Sequence, residues 1–181
     1  MKFAKRPEMK SLRIIFIVLS GIVVVFLGIG MIVPSYEYEL SIVANANPAK
    51  CWAAFHDAKK MNAWLDGFES LTLKGGVLLS PGSTYEIIIN ENGHRMIMTE
   101  KIVEVSVPNR IVYELNNDVL KSEFSYAFEG STSTRITSKY KIAGNSIVWK
   151  SILFLSKSYM TRSAHEQLEK LKRVIETNES N

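Results

Sequence analysis

Cysteine is almost absent from this chain: Cys51 is the only one in 181 residues. A single thiol forms no internal disulfide and no thiolate zinc site, which excludes a disulfide-stapled scaffold and a zinc finger. Histidine is scarce too, with only His56, His94 and His165, and none of these falls in the H-E-x-x-H spacing of a helical zinc site. The motifs of phosphate and nucleophile chemistry are missing. There is no P-loop and no G-x-S-x-G elbow, and Gly28-x-Gly30 falls inside an apolar run. No metal and no cofactor is implied. With 46% hydrophobic and 22% charged residues, disorder is excluded, and the length allows one domain with an appendage.

Excess charge is also missing from most of the chain. The net charge of +4 lies before residue 14, where Lys2, Lys5, Arg6, Lys10 and Arg13 face one acid, Glu8. The remaining 17 of 22 basic residues are balanced by 17 of 18 acidic ones. A neutral, interspersed surface offers no footprint for a phosphate backbone, so nucleic acid is not an expected partner.

Residues 14–33 (IIFIVLSGIVVVFLGIGMIV) contain no charge, and 20 residues of helix span about the 30 Å of a bilayer core. A cleaved signal peptide has a shorter apolar stretch and ends in a small-residue site, whereas this run leads into Pro34-Ser35-Tyr36. We read it as a transmembrane helix. Residues 1–13 then form a basic cytoplasmic flank, and the body lies outside the cytoplasm, because Lys and Arg stay inside. Gly21, Gly28 and Gly30 form no G-x-x-x-G pair.

The body, residues 36–177, precedes a short tail, residues 178–181, that carries a formal glycosylation triplet at Asn178. Residues 36–44 alternate as a half-buried strand, with Tyr38, Leu40, Ile42 and Ala44 on one side. Asn47-Pro48 opens a short helix and Asp57 caps a second. Strands are expected over 68–77, 84–90, 95–107, 110–115, 120–128 and 135–142, separated by turn residues such as Pro81-Gly82 and Asn92-Gly93. In the fourth strand neither face is cleanly apolar, because Glu100 shares a side with Met96, Met98 and Ile102; a bulge would reconcile the pattern. One long helix is expected from Gly144 to about Glu176, lying against the sheet.

The order strand, two short helices, strand meander and closing helix resembles the START-like (SRPBCC, polyketide cyclase-like) superfamily. Local sequence carries the resemblance in order. Asn47-Pro48 leads to Trp52, Trp64-Leu65-Asp66-Gly67-Phe68 precedes the second strand, and Pro81-Gly82-Ser83-Thr84 looks like the family's "pGt" turn. Val103-Glu104-Val105 with Pro108 and Arg110 resembles its "v-e-v-x-P-x-r" corner, residues 130–137 approach the last strand, and residues 165–172 match the closing helix. The resemblance implies an α+β helix-grip fold, in which a curved antiparallel sheet of about six to seven strands wraps a long C-terminal helix.

The resemblance also implies a cavity between sheet and helices. Alternation proposes Tyr85, Ile87, Tyr113, Phe124, Tyr126 and Tyr140 as lining residues, with Trp64, Ile152 and Tyr159 from the helices. The same residues would equally fill a core, as aromatics at period two commonly do. The expected function is a membrane-anchored domain holding a hydrophobic small molecule or lipid, the anchor keeping the pocket near the bilayer. Two alternatives stand beside it. A cyclase or dehydratase would need a polar cavity residue such as Glu100 or His165, and a partner-binding module would show a filled core and an exposed apolar patch. His56 and His94 are read as capping or solvated, and Cys51 as a small buried hydrophobe.

Overall fold

The computed structural model describes residues 9–91 and 93–177. Lys2, Lys5, Arg6, Glu8, Asn92 and the tail with Asn178 lie outside the described residues. The apolar run forms α1 (Met9–Ile32), whose Lys10–Ile32 portion is long and apolar enough to cross a membrane. Seven strands follow in one open antiparallel sheet: β1 (Tyr36–Ala44), β2 (Phe68–Gly75), β3 (Thr84–Glu91), β4 (His94–Ser106), β5 (Arg110–Asn116), β6 (Leu120–Gly130) and β7 (Thr134–Gly144). Their order is β1-β7-β6-β5-β4-β3-β2, so the first strand pairs with the last and the rest meander.

Between β1 and β2 lie α2 (Pro48–His56) and α3 (Ala58–Trp64). Their starts follow from capping: Asn47 accepts from the Lys50 N–H at 2.9 Å, and Asp57 from the Lys59 N–H at 3.0 Å. Gly67 then turns the chain at φ +72, and a Cβ there would strike the Asn90 carbonyl. Only glycine lets the end of α3 lie this close to β3.

The inner face of the sheet is apolar and the outer face carries ladders such as Glu39–Lys139 at 3.1 Å. Phe128, Ile136 and Ile142 on this inner face are essentially fully buried, as are Leu171 and Ile175 of the closing helix. In β4 the bulge falls between Ile102 and Glu104, where the register against β5 slips by one residue. Everything N-terminal to the bulge keeps one phase, so Met98, Glu100 and Ile102 all face inward, a carboxylate among apolar neighbours.

The closing segment departs from the expected single helix. It is two helices, α4 (Ile147–Leu155) and α5 (Lys157–Thr177), broken at Ser156, which has φ −85 and ψ 0 and gives its N–H to the Ile152 and Phe154 carbonyls. Neither glycine nor proline marks the break. The cause is packing: the two pieces bury different faces against different partners. α5 is amphipathic and presents Ala164, Leu168, Leu171 and Ile175 to β1, α2 and α3, with Lys170 ion-paired to Asp66. α4 is apolar almost throughout and sits between β7 and α1, so the sheet is not the only surface the segment meets.

Candidate functional site

Behind α2 and α3 the inner face of the sheet leaves a cavity of about 260 Å³. β3 contributes Tyr85 and Ile87, β5 contributes Ile111 and Tyr113, and the helices close it with His56 and Trp64. The β2–β3 loop forms a rim of Leu78 and Leu79, and Leu78 is 67% exposed. The Tyr85 hydroxyl accepts the Leu79 N–H at 2.8 Å, pinning that residue at φ +50, a region that side-chain-bearing residues seldom occupy. The loop is tied to β4 through Gly82 and Ser83 on Ile102, and Thr84 after it lies on a row that runs through Lys101, Glu114, Glu123 and Lys141 to Glu37.

Polar groups in the wall are few. Glu100 stands opposite Tyr85 on β3 and Leu115 on β5, and no hydrogen bond from the described residues reaches its carboxyl. Burial raises its pKa from 4.5 to about 7, so near neutrality it is about half protonated and able to donate as well as accept. Tyr113 is pushed well above the ordinary phenol range, first by burial and then by the Glu100 charge. His56 gives Nδ1–H to the Trp52 carbonyl at 3.0 Å and lies tilted by 35° against the Trp52 ring, the centroids 4.2 Å apart. Burial lowers its pKa, so the imidazole is neutral at pH 7. Its Nε2 lone pair and the Trp64 Nε1–H are both buried without a partner among the described residues. Such orphaned atoms are uncommon in folded proteins.

Of the nine residues singled out from the sequence, Trp64, Tyr85, Ile87 and Tyr113 border the cavity. Phe124, Tyr126 and Tyr140 lie beside it in an aromatic cluster, with Phe55 to Tyr126 at 4.7 Å and the Tyr126 and Tyr140 hydroxyls 3.3 Å apart. Ile152 is half-buried on α4, away from the cavity. Tyr159 is outside it altogether, 64% exposed with its hydroxyl on the Glu91 carboxylate at 3.3 Å. Two histidine expectations also change. His56 is a wall residue rather than a solvated cap, and His165 is exposed on α5 and takes no part in the cavity.

Glu100 was legible as a possible inward group but not resolvable, because the bulge position decides its face. His56 was missed: as the last residue of α2 it reads as a helix end, and only the turn-back of α3 encloses it.

The fold has many relatives of low identity. TTHA0849 from Thermus thermophilus is 16% identical with a TM-score of 0.64, over 81% of this chain and 100% of its own. SA2116 from Staphylococcus aureus, a protein of unknown function, is 12% identical with a TM-score of 0.64, over 81% and 97%. BexL, a di-domain ARO/CYC from the BE-7585A biosynthetic pathway, is 15% identical with a TM-score of 0.60 over 79% of this chain, which spans 50% of BexL. At these identities the likeness is one of fold. No curated protein sequence matches the chain. The sequence model that does match covers residues 36–176, from β1 to the last turn of α5, and on that match the chain belongs to the polyketide cyclase / dehydrase and lipid transport family.

Proposed function

We propose that the protein is a single-pass membrane protein whose domain, residues 36–177, holds a compact hydrophobic molecule in the cavity without covalent chemistry. The single observation carrying this is an apolar cavity of about 260 Å³ whose wall contains a buried carboxyl that no described residue pairs. Pockets for drug-sized ligands run from about 300 to 1,000 Å³, so a small ring system or a short single chain fits better than a two-chain lipid. The neutral form of Glu100, the His56 lone pair and the Trp64 N–H select a ligand with one uncharged polar group, such as a hydroxyl or carbonyl, in an otherwise apolar body. In this reading α1 is the anchor, residues 1–13 face the cytoplasm and the domain lies outside it.

Native mass spectrometry of the domain expressed from residue 36 tests the ligand reading. Solved chains that align with this one over 97–100% of their own length consist of this fold alone. A co-purified apolar molecule, released on denaturation, is the expected result. An empty domain with no thermal stabilisation by a panel of hydroxylated one- and two-ring compounds would sink it.

A second reading is a cyclase- or dehydratase-type enzyme with Glu100 as general acid or base. The pKa near 7 favours it, since that value serves proton transfer at neutral pH. The discriminating result is turnover of a bound ligand that Glu100→Gln abolishes while binding survives.

A further inference from the structure

Three features stand out beyond the cavity: the charged groove on the outer face of β1 and β7, the exposed Val77–Leu78 tip, and the junction of α4 with α1. The first is a set of exposed ion pairs, and among the described residues nothing covers the second. The third carries an inference.

α4 reads IVWKSILFL, with Lys150 its only charge and Ser151 its only other polar side chain. Leu153 is turned into the domain and buried. Ser151 faces α1, where its hydroxyl donates to the Phe26 carbonyl oxygen at 2.5 Å, with the Ile147 carbonyl oxygen of its own helix as the alternative acceptor at 3.1 Å. Gly30 makes the approach possible: a Cβ there would collide with the Ile147 carbonyl and the Ser151 hydroxyl. This is how helices pack inside lipid, through a small residue and an internally satisfied hydroxyl. The remaining surface of α4 is apolar and uncovered, with Val148 46% and Leu155 60% exposed, and Leu155 borders an apolar groove with Ile22, Val25 and Phe26 of α1.

The level of the contact fixes the environment of α4. Gly30, Phe26 and Ile22, which α4 meets in turn through Ile147, Ser151 and Leu155, lie three, seven and eleven residues before the end of the charge-free run at Val33. At 1.5 Å per residue this is about 5 to 16 Å below the edge of the apolar layer. α4 thus starts near the boundary of headgroups and acyl chains and runs alongside α1 into the acyl layer. We infer that α4 is a second membrane-contacting element, a helix packed along α1 within the outer leaflet that seats the domain directly on the bilayer. Its partner is the bilayer itself, from the headgroup–acyl boundary into the acyl chains. Lys150 and Trp149 lie in its first turn, where a lysine reaches up to the headgroups and tryptophan favours the interface. This inference rests on α1 spanning the membrane.

The test uses the full chain, with Cys51 replaced by Ala, reconstituted into phosphatidylcholine vesicles. An environment-sensitive fluorophore is placed on single cysteines introduced by Val24→Cys in α1, Val148→Cys or Leu155→Cys in α4, and Val103→Cys on the sheet. Quenching is read against vesicles containing brominated acyl chains. Quenching at 148 and 155 within about two-fold of that at 24, with little at 103, is the expected result. Strong quenching at 24 with 148 and 155 no different from 103 overturns the inference and leaves the span intact. If those positions instead cross-link between chains, a second copy covers α4 and the inference also fails. Absence of quenching at 24 overturns the span and the inference together.

Discussion

Ser151 and Phe26 are joined by a 2.5 Å hydrogen bond across 125 residues of sequence, and Gly30 supplies the gap that permits it. Gly30→Leu should therefore wedge α4 from α1. Overpacking of this kind costs about 1–3 kcal/mol, or several degrees in the unfolding midpoint of a domain this size. Thermal unfolding of the full chain in lipid nanodiscs measures it, with Ser151→Ala as the milder change at about 1 kcal/mol. A Gly30→Leu midpoint equal to that of the parent would mean the two helices do not depend on one another.

Glu100 makes stability depend on pH in a defined direction. Its folded pKa of about 7 lies above the ordinary 4.5, so below pH 4.5 both states bind the proton and the group contributes nothing. As pH rises from 4.5 to 7 the unfolded chain releases the proton first, and stability falls by up to about 3 kcal/mol, less what the open side of the cavity screens. Glu100→Gln should thus exceed the parent in urea resistance at pH 8 and match it at pH 4. Equal curves at both values would place the carboxylate in water.

Ile87→Phe adds a ring to the cavity wall. Because the space is already there, the change should alter stability by no more than about 1 kcal/mol. Binding of a two-ring probe such as 2-naphthol, followed by fluorescence, should weaken at least about ten-fold, a difference of about 1.4 kcal/mol. Unaltered binding would place the probe elsewhere.

Tyr159→Phe separates surface from cavity. The hydroxyl it removes sits on an exposed carboxylate, so stability should move by less than about 0.5 kcal/mol and ligand binding not at all. A loss of binding would show that the start of α5 closes over the ligand.

Most of the sheet was readable because alternation at period two is a local property, as in Tyr38, Leu40 and Ile42 of β1. The caps at Asn47 and Asp57 were readable for the same reason, each needing only its next three residues. What escaped was non-local. The face taken by Glu100 depends on a register slip between Ile102 and Glu104, and the burial of His56 depends on the return of α3. The break at Ser156 left one trace in the sequence: the residues before it are apolar on every side, whereas those after it are amphipathic. Gly30 belongs to no helix-pairing motif in the sequence, and the neighbour it meets is a helix of its own chain far along the sequence.

The rim at Leu78 places the mouth of the cavity in a loop rather than between strands. Gly82 and Ser83 are held to Ile102 by backbone hydrogen bonds and the Leu79 N–H by the Tyr85 hydroxyl, while Leu78 itself is 67% exposed. A ligand would therefore pass by displacing side chains at the tip, with every ladder of the sheet intact. The sheet is a rigid bowl, and only its lip has to give.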